Sequence, residues 1–399
     1  MSENSVEVYG YRWVVLLLFM FINITIQILW ITFASVTSVA TQFYAVEELA
    51  IFILSATFMI AYIPVTFIAS WLIDKYDFKT GTAIGAMIAG VFGLLRFFAG
   101  PNYMLVLIFQ IGIAVGQPFL LNSVTKLSAN WFPDSERTSA TGLGLIAGFI
   151  GIALGLVLTP FLVEGLGFLM MLLIYGILGL VAGILFTALA KNRPPTPPAL
   201  DRDVEKVFMF DGMKQLFKNK YFIIVFIVFF FGLGIFNTVT TYIEQIVIPR
   251  GYDSIYAGIL GGLMLIGGII GCMVMSTVSD KYHKRKSLLL ISVLLSLVSL
   301  AIISFTSDSI LLLVAGFAFG FGLMSASPVA LEYTVEVTKP VPEATSNGLL
   351  MMAGQIGGII FILGLEDFTL PNGDYFPALL LQTIFLFILL ILTALLKEK

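Results

Sequence analysis

The sequence has 399 residues, of which 59% are hydrophobic and only 11% are charged, and its mean hydropathy is +1.03. Soluble domains keep about a quarter of their residues charged, so this composition excludes an ordinary water-soluble protein and predicts a chain embedded in lipid. The net charge of −3 argues against a nucleic-acid partner. The single cysteine, Cys272, excludes an intrachain disulfide, and the only histidine lies in a charged loop. With so few Cys and His side chains we expect no metal site and no cofactor. No phosphate-loop motif is present, so we expect no ATP hydrolysis.

Apolar runs long enough to cross a bilayer as helix, about 20 residues, occur twelve times along the chain. The first six lie at about 12–40, 48–72, 80–99, 102–131, 136–163 and 165–190. A polar, proline-rich break follows, and six more runs lie at about 220–248, 253–278, 286–306, 308–338, 341–365 and 373–396. We therefore predict an all-α membrane protein of twelve transmembrane helices. Its halves are residues 1–190 and 220–399, joined by a linker at 191–219.

The orientation follows from the basic residues. Every lysine and arginine except Arg96 and Arg250 falls at the end of the spans that also holds the two termini. Since cytoplasmic segments of membrane proteins are rich in Lys and Arg, this bias predicts a multi-pass protein of the cell membrane with both termini in the cytoplasm. Arg96 and Arg250 are then predicted to lie on the outer side.

A short motif follows the second span and recurs after the eighth. Residues 70–76 read Ser-Trp-Leu-Ile-Asp-Lys-Tyr, and residues 276–282 read Ser-Thr-Val-Ser-Asp-Lys-Tyr, 206 positions later. The fifth and eleventh spans also begin alike, at 136–139 and 343–346. Similar segments at a nearly constant offset indicate a parallel duplication, and hence two pseudo-symmetric six-helix halves.

These two loops resemble the signature loop of the major facilitator superfamily, although Asp77 and His283 replace its inner glycine. The resemblance implies a major facilitator fold with a cytoplasmic gate. In it, Asp74 would brace the eleventh helix and Asp280 the fifth, because helix N-termini favour a negative charge. Alternatively, the Asp-Lys pairs only end helices in the headgroup zone. The candidate gate residues are Asp74, Lys75, Lys126, Arg137, Asp280, Lys281 and Glu336.

Two of these residues are charges within apolar spans, where ionisable groups are costly and usually face the bundle interior. Lys126 and Glu336 each lie eight residues after a proline, in the equivalent helices four and ten. We hypothesise that they pair across the halves near the gate. The alternative is that each side chain extends to the lipid headgroups.

One further acid lies deeper in the same helix. Glu332 is one turn deeper than Glu336, opposite the equivalent Asn122. It could bind a coupling proton or sodium ion, or contact a cationic substrate, or be a structural buried acid. Glu47 is a second candidate for ion coupling, although facilitated diffusion needs neither.

Four polar or aromatic residues are predicted near mid-depth, since a helix rises about 1.5 Å per residue. They are Trp30, Gln117, Asn237 and Gln355, on helices one, four, seven and eleven. A tryptophan face attracts cations, and amides suit a small polar solute. The alternative for Trp30 is that it faces lipid or is simply packed.

Two segments carry a narrower resemblance, to the feline leukaemia virus subgroup C receptor-related family. The first reads Gly-Gln-Pro-Phe at 116–119 and Lys-Leu-Ser-Ala-Asn-Trp-Phe at 126–132. The second reads Glu-Tyr-Thr-Val-Glu-Val-Thr at 332–338 and continues through 345–350. Members of that family are discussed as choline and ethanolamine transporters and as haem exporters.

The resemblance also implies a choline pocket made by a Trp on helix one, a Tyr on helix seven, and Gln on helices five and eleven. Trp30 and Gln355 match this pattern. Asn237 stands at the Tyr position and Phe149 at the helix-five Gln position. Haem fits less well, because the spans contain no histidine.

We therefore predict a monomeric secondary transporter that moves a small organic solute by alternating access. The favoured substrate is a small organic cation such as choline or ethanolamine. The second hypothesis is an uncharged or anionic solute, such as a vitamin, a drug-like molecule or a haem-related compound. The third is a membrane enzyme or a non-transporting receptor, which would need a catalytic cluster or a large outer domain.

Overall fold

The computed structural model describes residues 9–133, 136–196, 214–282, 284–339, 341, 343–370 and 373–398. The side chains of Asp74 and Asp280 lie outside this description. Throughout the described ranges the regular structure is helical. Twelve of the described helices are long and apolar enough to span a membrane. The predicted all-α architecture of twelve spans is therefore confirmed.

The chain divides into two compact units. The first comprises Met1–Phe33 and Thr37–Val204, and the second comprises Ala34–Val36 and Glu205–Lys399. The helices of the first unit are α1 Tyr11–Ile31, α2 Thr37–Tyr44, α3 Glu48–Tyr76, α4 Phe78–Phe98, α5 Tyr103–Leu121, α6 Val124–Trp131, α7 Arg137–Leu166 and α8 Phe168–Leu189. Those of the second are α9 Lys220–Thr241, α10 Ile243–Val247, α11 Ser254–Tyr282, α12 Arg285–Phe305, α13 Ser309–Thr338, α14 Glu343–Gly364 and α15 Phe376–Ala394.

Glycines allow the helices of the first unit to pack closely, as is typical where lipid removes the hydrophobic drive between helices. A Cβ on Gly90 of α4 would lie 2.8 Å from the carbonyl oxygen of Gly179 on α8. A Cβ on Gly176 of α8 would lie 2.7 Å from that of Gly93. On the other side of the unit, a Cβ on Gly151 of α7 would collide with the backbone of Ile24 in α1. These contacts hold α4 against α8 and α7 against α1.

The second unit uses the same device between α11 and α13 and, as between α1 and α7 of the first unit, between its first and fifth spans α9 and α14. A Cβ on Gly267 of α11 would meet the carbonyl oxygen of Phe317 on α13. Helices α9 and α14 also approach closely, since a Cβ on Gly234 would lie 3.1 Å from the carbonyl carbon of Gly357. The helices that carry Asn237 and Gln355 are therefore direct neighbours within this unit.

Breaks within spans were not predicted. The first span ends as regular helix at Ile31, and α2 begins only at Thr37. The fourth span breaks after Leu121, three residues beyond Pro118; a proline disturbs the turn that precedes it, so Pro118 does not account for a break on its C-terminal side. The equivalent tenth span runs unbroken through Pro328. Duplicated helices have thus diverged in their continuity.

Candidate substrate-binding site

Trp30 lies in the last turn of α1 and is only 6% exposed. Its indole Nε1 donates a hydrogen bond of 3.1 Å to the carbonyl oxygen of Ser55 on α3. Its ring centroid lies 6.4 Å from that of Phe58 on the same helix. Trp30 is therefore packed within the first unit, and the structure does not support the lipid-facing alternative.

Arg96 is a buried charged residue whose partners were not predicted. It lies in the last turn of α4, within the predicted third span, and its side chain is 0% exposed. Its Nη1 donates to the carbonyl oxygen of Leu29 at 3.1 Å and to Oε1 of Gln110 at 2.9 Å. Its Nη2 donates to Oγ1 of Thr32 at 3.4 Å. The guanidinium thus binds the end of α1, on either side of Trp30.

A basic residue interrupting the apolar run of α4 was the available clue to this arrangement. Counting lysines and arginines assigns a side of the membrane and gives no information about partners. Arg250, the other exception, does lie outside the spans, where its Nη2 donates to the carbonyl oxygen of Ser304 at 3.3 Å. Burial lowers the pKa of Arg250, and the nearby carboxylate of Asp374 partly opposes this shift.

Gln117 and Asn122 both belong to the end of α5. Gln117 is 8% exposed. Asn122 follows the last residue of the helix, and its Nδ2 donates to the carbonyl oxygen and Oγ1 of Thr66 at 3.2 and 2.8 Å, and to Oγ of Ser70 at 3.0 Å. Its amide hydrogens therefore hold α5 against α3. Asn122 is also a candidate substrate-binding residue from the sequence, because it is the counterpart of Glu332, and that role stays a prediction.

In the second unit, Asn237 is 5% exposed on α9, and Gln355 is half-buried on the adjacent α14. A hydrogen bond of 2.7 Å from the hydroxyl of Tyr242 to the carbonyl oxygen of Ile362 ties the end of α9 to α14. The structure thus places these two candidate amides on packed helices. Whether they contact solute stays a prediction.

Glu332 is exposed on α13. Of the alternatives for this residue, the structural buried acid is therefore not supported, while ion binding and substrate contact stay predictions. The buried carboxylate among the described residues is instead Glu244, which is 0% exposed on α10 and accepts a hydrogen bond of 2.5 Å from Oγ of Ser254. It was not predicted, although Glu244 interrupts the seventh apolar run at 220–248, and that interrupting acid was the available signal.

The candidate gate residues lie at helix ends. Lys75 Nζ lies 4.8 Å from the Trp71 ring centroid, and Lys281 Nζ lies 5.4 Å from that of Tyr282. Asp74 and Asp280, whose side chains are outside the described residues, stay predictions. Arg137 binds the end of α6, where its Nη2 donates to the carbonyl oxygen of Ala129 at 3.1 Å.

Lys126 and Glu336 each have a partner within their own unit. Lys126 Nζ donates to the carbonyl oxygen of Ile73 at 2.6 Å. Glu336 Oε1 lies 3.3 Å from Nε of Arg285. The proposed Lys126–Glu336 pair stays a prediction.

Asp77 occupies the inner glycine position of the signature loop with φ 76° and ψ 164°. This conformation is essentially reserved for glycine, which explains the residue that the signature prefers. Asp77 is stabilised there by accepting hydrogen bonds from the backbone N–H of Phe78 at 2.8 Å, from Asn130 at 2.8 Å and from Arg193 at 3.1 Å. The equivalent His283 lies outside the described residues.

The third membrane span of each unit, α4 or α12, is capped at its N-terminus in the same way. Asn192 Oδ1 accepts from the backbone N–H of Lys79 at 3.1 Å, and Glu398 Oε1 accepts from that of Lys286 at 3.1 Å. Both capping residues follow the sixth span of their unit, α8 or α15, and Asn192 and Glu398 are 206 positions apart. This is the offset of the repeated loop motif.

Among the described residues, no cluster of three or more His, Cys, Asp or Glu could hold a metal ion.

Comparison with known proteins agrees with this architecture. The family model described as Major Facilitator Superfamily matches residues 13–362. Solute carrier family 49 member A3 of Danio rerio is 31% identical over 380 residues, which cover 92% of this chain and 80% of that protein. The choline/ethanolamine transporter FLVCR1 of Felis catus is 28% identical over 411 residues, covering 97% and 73% of the two chains. The similarity to the feline leukaemia virus receptor-related family is thereby confirmed.

Solved structures extend the agreement to the fold. A bacterial homologue of the human lysosomal transporter Spinster, in an inward-facing and unoccupied conformation, superposes with a TM-score of 0.75 at 15% identity and covers 97% of both chains. At this identity the likeness concerns the fold alone. The chain therefore belongs to the major facilitator superfamily, as a multi-pass membrane transporter and not an enzyme.

Proposed function

We propose that the protein moves a small organic solute by alternating access, and that its preferred substrate is a small organic cation such as choline or ethanolamine. The observation that carries this proposal is the setting of Trp30. Its indole N–H is already bonded to Ser55, so the aromatic face is the part of the side chain that is left for a ligand. Cations are attracted to a tryptophan face, and more strongly where water is excluded.

Two amides supply the polar contacts in this proposal. Asn237 and Gln355 lie on the packed helices α9 and α14, where they could orient the hydroxyl or amine end of the solute. The name of the cat relative, choline/ethanolamine transporter, supports the same substrate class. Asn237 and Phe149 differ from the residues that the family resemblance implies, so we expect the contacts to the polar end to differ from those of that family.

A thermal-shift screen of the purified protein tests the substrate class. Choline, ethanolamine, organic anions, vitamins and haem would each be added to wild type, to Trp30→Ala and to Trp13→Ala. A ligand at about 100 times its Kd stabilises the folded state by about 2.7 kcal/mol. Trp13 is 41% exposed and serves as the matched control. We expect an amine to stabilise wild type and Trp13→Ala but not Trp30→Ala.

One observation favours the second candidate, an uncharged or anionic solute. Arg96 places a buried cation against the segment that carries Trp30, and among the described residues its hydrogen-bond acceptors are all neutral. A cation in a low-dielectric interior disfavours a second positive charge nearby. Stabilisation by an organic anion, with no response to amines, would reject choline and support this candidate.

We propose that any ion coupling, to a proton or to sodium, uses a carboxylate from the set Glu47, Glu244 and Glu332. Glu244 is the strongest of these on burial, because ionisable groups withdrawn from water in transporters commonly mark ion pathways. Uptake into proteoliposomes would be driven by an imposed pH or sodium gradient in wild type and in the three Glu→Gln variants. Loss of the gradient response in one variant identifies the residue, and no response in wild type rejects coupling.

We also propose a cytoplasmic gate and a cell-membrane orientation with both termini inside. For the gate, Lys126→Glu and Glu336→Lys should each lose transport, and their combination should restore it; silent single variants would contradict the pairing.

For the orientation, a cysteine introduced at Lys281 in a Cys272→Ser background should be shielded from an impermeant thiol reagent in intact cells. A cysteine at Asp308 should react. We expect the active form to be a monomer, which light scattering of the purified protein checks.

A further inference from the structure

The last turn of α1 is held by side chains from two other helices. The helix ends at Ile31, and terminal carbonyl groups need partners from outside the helix. The carbonyl oxygen of Leu29 accepts from Arg96 Nη1 at 3.1 Å, from Thr32 Oγ1 at 3.1 Å and from Gln110 Nε2 at 3.5 Å. One carbonyl therefore joins α1 to α4 and α5.

The positive charge of Arg96 is compensated chiefly by this helix end. Among the described residues, its hydrogen-bond acceptors are Leu29, Gln110 and Thr32. Its guanidinium carbon lies 5.5 Å from the centroid of the Phe33 ring. A helix C-terminus carries partial negative charge, so the end of α1 is a suitable counter-charge for a buried guanidinium. Displacing it would leave the cation poorly compensated and away from water, which is strongly unfavourable.

Trp30 lies directly between the residues that Arg96 binds. It follows Leu29 and precedes Thr32 by two positions, and its own N–H is fixed to Ser55. We propose that Arg96 is a positioning residue for Trp30: together with Gln110 it fixes the last turn of α1 and thereby the orientation in which the indole face meets substrate. This inference rests on the proposed substrate contact of Trp30.

Fluorescence tests the positioning without any substrate. With Trp13, Trp71 and Trp131 each replaced by Phe, the emission comes from Trp30 alone. Arg96→Lys keeps the charge but replaces the planar guanidinium, whose two Nη atoms bind Leu29, Gln110 and Thr32, with a single nitrogen of different reach and geometry. We expect its Trp30 emission to shift to longer wavelength and to be quenched more readily by acrylamide. Arg250→Lys is the matched control, since Arg250 also binds a backbone carbonyl but lies in the other unit, and it should leave the emission unchanged.

Gln110→Leu provides a second route to the same test should Arg96→Lys not fold. It removes one acceptor from Arg96 and one donor from Leu29 while keeping the arginine. We expect a smaller shift in the same direction. Unchanged emission and quenching in every folded variant of this pair would overturn the proposal.

Transport kinetics connect the positioning to function. For choline uptake into proteoliposomes, Arg96→Lys should raise KM by about 2- to 30-fold, the range of a cation–π contact, with Vmax changed much less. In a Trp30→Ala background, the same substitution should have no further effect on KM, because residues that act through one another are not additive. Additive effects would show that Arg96 does not act through Trp30.

The two experiments separate the possible failures. If Trp30→Ala leaves choline uptake unchanged, the proposed function fails while the fluorescence result still decides the positioning. If Trp30→Ala impairs uptake but Arg96→Lys changes neither emission nor KM, the proposed function stands and the positioning role is rejected.

Discussion

The first helices of the two units end in different electrostatic surroundings. In the first unit, the buried cation Arg96 binds the end of α1. At the same position along the equivalent 21-residue helix of the second unit, the residue is Ile303, which is 2% exposed. The second unit instead buries the carboxyl group of Glu244, just beyond the end of α9. Duplication has thus kept the helices and the close glycine contact between the first and fifth spans, while the ionisable groups buried near the ends of the two first spans differ.

The largest expected effect comes from removing the buried cation. Arg96→Met removes hydrogen bonds from a charged donor, worth about 1.5–3 kcal/mol, and leaves Gln110 Oε1 without the Arg96 donor, which costs about 1–3 kcal/mol more, while Leu29 keeps its bonds from Thr32 and Gln110. We therefore expect the free energy of unfolding, measured by SDS titration in mixed micelles, to fall by about 2–5 kcal/mol. Ile303→Met is the matched control, and such a volume-conserving exchange should cost under about 1.5 kcal/mol. Equal stability of the two variants would contradict the importance of the Arg96 contacts.

The next largest loss of stability is expected from removing the buried carboxyl group of Glu244. Glu244→Ala removes the acceptor of the Ser254 hydroxyl and leaves a cavity, so we expect a loss of about 1–3 kcal/mol in the same titration. Glu332→Ala changes an exposed acid on α13 and should lie within about 0.5 kcal/mol of wild type. If Glu332→Ala is the more damaging, burial and the bond to Ser254 do not make Glu244 the acid on which the stability of the second unit depends.

A smaller effect is expected at the signature loop, where the comparison concerns backbone conformation. Asp77 has a positive φ that favours glycine. Both Asp77→Ala and Asp77→Gly lose the same side-chain hydrogen bonds, so they differ mainly in backbone strain. We expect Asp77→Gly to be more stable than Asp77→Ala by about 1 kcal/mol. The same melting temperature for both variants would show that this turn is not strained.

The elements that depend on long apolar runs could be predicted from the sequence. Twelve spans, two repeats and the family resemblance follow from hydropathy and motif spacing, which vary little with the details of packing. The break after Ile31 and the early end of α5 could not be predicted, because hydropathy continues across both positions. A break follows Pro118, whereas the tenth span runs unbroken through Pro328. A proline in the sequence therefore does not predict where a span breaks.

The partners of charged residues were the least predictable part of the candidate site. Lys126 binds a backbone carbonyl at Ile73, and Arg96 binds one at Leu29; every residue offers such an acceptor, so sequence patterns do not identify it. Glu332 was predicted to be deep because of its position along the helix, whereas its exposure depends on which helix face it occupies. Trp30 was a candidate from the sequence, and its contact with substrate stays a prediction; its burial and its bond to Ser55 follow from the packing of α1 against α3.

Choline uptake by Trp30→Ala tests the proposed function most directly. Wild type, Trp30→Ala and Trp13→Ala would be reconstituted at equal density in liposomes, and initial rates measured over a range of choline concentrations. Loss of a cation–π contact should raise KM about 2- to 30-fold in Trp30→Ala and leave Trp13→Ala like wild type. The same KM in Trp30→Ala as in Trp13→Ala, or no choline uptake by wild type, would contradict the proposal.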